Sequence, residues 1–322
     1  MAETTTQTTL LPGLSAEMKE YYEKRLIETS EPKLVHSKFG DPYPLPQGTG
    51  KKIEFRRYSS LPKATTPIAE GVTPAGNQLN VTTVEGDIAQ YGDWIRLSDM
   101  LKMTAIDNNI VQATKILGSQ AGRTRDTVVR EVMVGGTNVI YAPKGAGTEV
   151  VARNALDATC KLTPDLFFKA AAQLNAMNAD YIDDSYVAII HPYAAYDLMR
   201  NSEWIDWQKY SHTENLYRGE IGRIANIRFV ASSEAKIFKD SSCPSGLAVF
   251  ATMVVGAHAY GVTELEGGGL EHIVKPLGYG DDPLNQRASV GWKCTMCAER
   301  LVEEYMIRVE SCGTYSSSAS AN

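Results

Sequence analysis

The stretch GWKCTMCAERL, residues 291–301, carries Cys294 and Cys297 at the C-x-x-C spacing used by zinc ribbons and dithiol enzymes. A structural zinc takes four ligands, commonly from two such pairs. No second pair exists: Cys160, Cys243 and Cys312 are scattered. Five cysteines, an odd number in a long chain, do not make a disulfide framework and point to a reducing compartment. A redox dithiol needs its first cysteine at a helix N-terminus, where the dipole favours thiolate. Here Val290, Trp292, Cys294 and Met296 alternate with Lys293, Thr295 and Cys297, the pattern of a strand. Residues three apart on a strand point to opposite faces. The spacing therefore predicts a buried face of Trp292, Cys294 and Met296, with Cys297 on the other side.

Other chemistry has less support. The sequence has no G-x-S-x-G, P-loop, dinucleotide-binding G-x-G-x-x-G or H-E-x-x-H. The histidines His36, His191, His212, His258 and His272 are scattered, and no pair has helical ligand spacing. His191, before Pro192, reads as a turn histidine. Trp204 and Trp207 read as loop anchors rather than an aromatic binding surface. The acid pairs Asp183-Asp184 and Asp281-Asp282 read as solvated loops, since no cation-loop spacing follows. A soluble thiol or hydrolytic enzyme would need a nucleophile with a partner, and no motif supplies one. No cofactor or metal is expected.

A chain of 322 residues exceeds the usual size of one core, so more than one structural unit is expected. The net charge of −6 disfavours sequence-specific nucleic-acid binding, which needs cations against phosphate. No apolar run is long enough to span a membrane, and the N-terminal residues lack the basic start and apolar run of a secretory signal.

The elements that must position these residues follow from periodicity. Ser15 can cap a helix over 16–29. Residues 30–50, with four prolines and three glycines, read as an extended arm lying on something else. The alternation in 51–58 and 78–97 predicts strands, separated by a Pro/Gly/Thr-rich stretch. Together they form a two-stranded arm with a loose tip, which needs a surface to lie on. Residues 98–134 repeat apolar positions at three- and four-residue spacing through Leu117, Ala121, Val128 and Val132. As one helix they would reach about 55 Å. Gly118 and Gly122 inside it mark either a close contact or a bending point. Thr163-Pro164 opens another helix. Strands are expected at 139–142, 186–191 and 227–231, with one or two more in 246–265. A helical turn or loop is expected over 219–226, and the final SSSASAN reads as a polar tail.

This order resembles the major capsid proteins of tailed bacteriophages with the fold of phage Hong Kong 97, and within them the N-four-like podophage family. The resemblance rests on QYGDWIRLSDML (90–101), YVAIIHPYAAYDL (186–198), GEIGRIANIRFVAS (219–232) and DPLNQRASVGWKCTMCAERLVEEYMIRVE (282–310). It implies an α+β fold with an N-terminal arm (1–50), an extended E-loop hairpin (51–92), a peripheral domain (93–180 and 283–322) with the spine helix 98–134, and an axial domain (181–282). It also implies hexamers and pentamers in an icosahedral shell around double-stranded DNA, assembled in the bacterial cytoplasm with a portal, a separate scaffolding protein and room for a decoration protein. Lys51, Lys52, Arg56, Arg57 and Lys63 become candidates for contact with the adjacent subunit, and Gly118 and Gly122 candidates for spine-helix flexibility. Lys63 and Asn285 match covalent cross-link partners only by residue type. An encapsulin-type compartment is the alternative with the same fold, disfavoured by the proline-rich arm.

Overall fold

The computed structural model describes residues 35–322, apart from 49, 69, 72, 74, 105–108, 146, 211–219, 265, 266 and 281. The helix expected over 16–29 lies outside the described residues. The chain opens with a 3-10 turn, His36–Phe39, and then β1 (Asp41–Pro42), β2 (Lys52–Tyr58), β3 (Val81–Asp87) and β4 (Ala89–Ser98). Helices α1 (Asp99–Thr104) and α2 (Asn109–Val134) follow, then β5 (Val139–Tyr141) and α3 (Pro164–Ala176). Next come β6 (Tyr186–Ile190), α4 (Pro192–Met199), α5 (Ser202–Tyr210), β7 (Glu220–Ile224), β8 (Ile227–Ala231), β9 (Ile237–Phe238) and β10 (Val249–Val255). The chain finishes with β11 (Tyr260–Glu264), β12 (Glu271–Lys275), β13 (Arg287–Arg300), a 3-10 turn at Glu303–Tyr305, and β14 (Met306–Cys312).

Three sheets result. The long β13 pairs along one edge with β4 and along the other with β12 and then β11, which carries β1 in parallel. A seven-stranded sheet runs β5-β14-β10-β6-β8-β7, with β9 beside β10. The hairpin β2–β3 forms a sheet of its own. β11 and β12, on the axial side of the sequence division, thus pair with β13, whereas β14 joins the sheet of β6 and β10.

The seven-stranded sheet lies between two cores. On β6, Tyr186, Ala188 and Ile190 enter one core, while Val187 and Ile189 enter the other. A strand covered on both faces reads as an unbroken apolar run, and YVAII is one. The first core is completed by Leu166, Phe167 and Leu174 of α3 and by Trp204, whose ring meets Phe229 edge-on at 5.2 Å. Trp204 therefore anchors its element against its own core, as expected, but that element is the helix α5 rather than a loop. The second core is roofed by α2, which lies across β13.

Several expectations shift. Strand β4 runs to Ser98, and the 26 residues of α2 span about 39 Å. Its buried line runs through Leu117, Ala121, Val129 and Met133, whereas Val128 and Val132 are only half-buried. Residues 220–224 form a strand rather than a helical turn, because Ala225 and Asn226 both adopt positive φ and close a tight β7–β8 hairpin. Strand β8 occupies the expected 227–231, and α3 starts at Pro164 as Thr163-Pro164 predicts. The polar tail is docked: Ser317 accepts from the Ala248 N–H at 2.7 Å, and the Asn322 amide bridges Ala235 and Ile237.

One buried ionic cluster fastens these layers. Glu310, fully buried on β14, accepts two hydrogen bonds from Arg153 and one from Arg308, each at 2.7 Å. Arg308 also donates to the carbonyls of Val134 and Gly136 at the end of α2, and Arg300 donates to Val132 at 2.9 Å. Cations at a helix C-terminus satisfy its free carbonyls and complement its dipole. Removing the carboxylate would strand two arginines. Glu310→Gln should cost about 3–5 kcal/mol, read as a lower urea midpoint.

Candidate functional site

The C-x-x-C pair lies on β13 as its alternation requires. Cys294, with Trp292 and Met296, enters the core beneath α2, and Trp292 donates through Nε1 to Gln120 at 3.3 Å. Cys297 points to the other face, into a small cluster with Leu45, Ile88 and Ile53. Both thiols are free and buried, and burial pushes Cys297 up to about 11. No group of metal-ligating side chains occurs among the described residues. The isolated cysteines behave differently: the backbone N–H of Cys312 meets the Cys160 carbonyl at 2.8 Å, although sequence separates them widely.

The remaining chemical candidates take structural positions. The His191 ring accepts the Tyr193 N–H at 3.1 Å and caps α4, and burial lowers its pKa. Asp183 and Asp184 lie on an exposed loop near Arg228 and Arg223. Asp282 corrects the solvated-loop reading. It is buried, and although burial alone would raise its pKa, backbone N–H groups of Gln286, Arg287 and Gly278 hold the carboxyl below its usual range. The side chain of Trp207, together with His212 and Asp281, lies outside the described residues.

The surfaces that remain are the hairpin and the outer face of the first sheet. On β2, Ile53 and Phe55 turn inward and are half-buried, and Phe55 meets the Tyr43 ring edge-on at 5.0 Å. Lys52 lies 3.1 Å from Glu85 across the hairpin, Arg56 lies 3.2 Å from Glu54, and Arg57 reaches Glu304 at 3.2 Å. The basic residues expected to face a neighbour thus meet carboxylates of their own chain in the isolated subunit. Lys51 and Lys63 are exposed. At the last rung of the hairpin Tyr58 and Val81, and beyond it Leu61, Ile68 and Leu79, are all exposed apolar groups. Gly118 and Gly122 sit on the buried side of a helix that continues through both.

On the outer face, a groove of about 670 Å³ is lined by Trp94, Arg96, Lys275, Tyr279 and Arg287 among others. Trp94 is 48% exposed, with the Arg96 guanidinium 4.9 Å from its ring. Gly291 faces it across the ladder, and a Cβ there would come within 2.8 Å of the Trp94 Cβ. Sequence reading missed this groove because its residues come from β4, β12, β13 and the loop between the last two.

An exposed hairpin and an exposed groove beside Trp94 suit a subunit of a larger structure. Residues 81–303, more than half the chain, match the family model described as phage capsid protein. The chain belongs to that family. Its role is that of a structural shell protein of the virion, not an enzyme. No curated protein matches the capsid protein's sequence. Solved structures share its α+β fold, the Hong Kong 97 type, at low identity. The capsid structure of cyanophage P-SCSP1u aligns with a TM-score of 0.66 at 15% identity, covering 87% of this chain and 89% of that one. The capsid of Ralstonia phage GP4 aligns at 0.63 and 14%, covering 97% and 96%. The head structure of Helicobacter pylori bacteriophage KHP40 aligns at 0.63 and 14%, covering 84% and 88%.

Two outcomes are expected of the subunit. The exposed Arg57–Glu304 pair should contribute under about 1 kcal/mol in a double-mutant cycle read by urea unfolding. His272 is buried on β12, and burial pushes its imidazole down to about 4, below the ordinary value of about 6.5. Below pH ~6.5 the unfolded chain takes up this proton and the native state does not, so its stabilising contribution is lost as pH falls towards about 4. His272→Gln should lessen the loss of stability over that interval, measured by unfolding at pH 7 and pH 5.

Proposed function

We propose that this capsid protein self-assembles, as hexamers and pentamers, into the icosahedral head of a tailed phage around its double-stranded DNA. The observation that carries the reading is the hairpin β2–β3 with its tip. A two-stranded hairpin is marginally stable alone, and five large apolar side chains on and beyond it are exposed in the isolated subunit. A second copy is the natural cover, with the hairpin lying as an E-loop across the adjacent subunit. Lys51, Lys52, Arg56, Arg57 and Lys63 would there exchange or share their carboxylate partners, each exposed pair contributing only about 0.2–1 kcal/mol. Burial of the apolar groups over many copies supplies the rest.

The resemblance to N-four-like podophage capsids extends the reading to assembly in the host cytoplasm with a portal and a separate scaffolding protein, and to a surface that can take a decoration protein. The axial unit, around α4, α5 and β6–β10, would meet its equivalents at capsomer centres. A net charge of −6 suits a container that must not hold its DNA tightly. Gly118 and Gly122 would let α2 bend while the shell changes size, since each Gly lowers helix stability by about 1 kcal/mol relative to Ala.

Electron microscopy of the purified protein tests the reading. Shells or capsomers are expected, with DNA in particles from infected cells; a monodisperse monomer under all conditions overturns it, and shells that hold enzyme cargo in place of DNA favour an encapsulin-type compartment. Arg56→Glu/Arg57→Glu should reduce particle yield while circular dichroism and unfolding stay close to wild type. Gly118→Ala/Gly122→Ala should yield particles that fail to expand, seen as a smaller diameter.

A further inference from the structure

We propose that residues 35–45 form a releasable strap that couples the spine helix α2 to the base of the β2–β3 hairpin. This does not depend on the shell reading, because every contact involved lies within one chain.

The strap is fastened at its first end to the middle of α2. Asp126, fully buried, accepts the backbone N–H groups of Val35 at 2.9 Å and His36 at 2.7 Å through Oδ1. Its Oδ2 lies 2.6 Å from Nδ1 of His36, itself 1% exposed. The Tyr260 hydroxyl donates to the His36 carbonyl. Gly40 is required next, because a Cβ there would come within 2.5 Å of the Tyr260 ring. Further along, the strap adds to the edge of β11 in parallel, with the Tyr43 and Leu45 N–H groups donating to Val262 and Glu264 at 3.0 Å each. A second His–Asp pair faces the opposite way: Asp41 of the strap lies 2.6 Å from His258 of the body. At its last end Tyr43 packs on Phe55, and Leu45 closes the cluster of Ile53, Ile88 and Cys297.

The strap therefore touches both α2 and the inner face of the hairpin, as the strand β13 beneath them also does. Its fastening is mostly polar. Water can replace each of those bonds when it lifts, so opening requires far less than global unfolding. Lifting the α2 end loosens the hairpin base, and a displacement of α2 is passed along the strap to the arm.

Cys297 reports the far end and Cys294 the core beneath α2, so the two thiols of one peptide separate local opening from unfolding. The full-length chain is treated with N-ethylmaleimide, and each site is quantified by fragmentation of that peptide. His36→Ala and Tyr260→Phe each remove a bond at the α2 end without touching the Cys297 cluster. Each should raise the labelling rate of Cys297 by about tenfold, the loss expected for one buried hydrogen bond, with Cys294 unchanged. Tyr260→Phe keeps the buried ring and decides the matter if His36→Ala does not fold. An unchanged Cys297 rate overturns the coupling, and parallel acceleration of Cys294 overturns the local release.

Discussion

The fold depends on the capture of Glu310 between Arg153 and Arg308. The carboxylate is fully buried in the middle of β14, and Arg308 extends the same network to the last carbonyls of α2. One cluster thus joins the seven-stranded sheet, the segment after β5 and the end of the long helix. Two guanidinium groups outnumber one carboxylate, and the helix terminus supplies the remaining negative partial charge. Geometry of this kind makes the orientation of α2 on the sheet specific, because a rotation of the helix would leave a buried charge unpaired.

That specificity matters for a shell subunit. A body with two cores back to back on one sheet is rigid, and the hairpin and the groove beside Trp94 are exposed on it. The division of labour is physical. Close-packed layers hold their shape, whereas a two-stranded arm takes its final conformation from what it lies on. Basic groups on the arm do not wait unpaired. In the isolated chain Lys52, Arg56 and Arg57 already meet carboxylates, so the proposed contact with a neighbour would exchange partners rather than neutralise bare charge.

Much of this was legible where the governing interaction is local. The strand character of 290–297 follows from period-two alternation, and with it the separation of Cys294 from Cys297. Thr163-Pro164 marks the start of α3, and the Pro/Gly-rich break between two alternating runs marks the hairpin. The reading failed where a non-local partner changes the value of a residue. Asp126 and Arg130 look like solvent-facing positions of α2, yet both are buried: Asp126 by His36, about ninety positions away, and Arg130 by the Glu234 carbonyl. Their burial shifts the helix's inner line from Val128 and Val132 to Val129 and Met133. Residues 219–226 read as a helical turn or loop because Gly219 and Gly222 interrupt any regular alternation. The positive φ at Ala225 and Asn226, a backbone state that Asn tolerates but Ala does not announce, closes the hairpin that makes Glu220–Ile224 a strand.

By itself the sequence determined the class of elements, the family resemblance and the absence of a recognised catalytic motif, since alternation, breakers and motif spacing are properties of near neighbours. The tertiary structure decided which strands share a sheet, which charges are buried and what each face of β13 covers. Those outcomes depend on contacts between residues tens to hundreds of positions apart, whose free energy exists only once the chain has closed around them. Alternation could say that Cys294 and Cys297 face apart. Only the folded chain places one beneath the long helix and the other beneath the strap at the base of the arm.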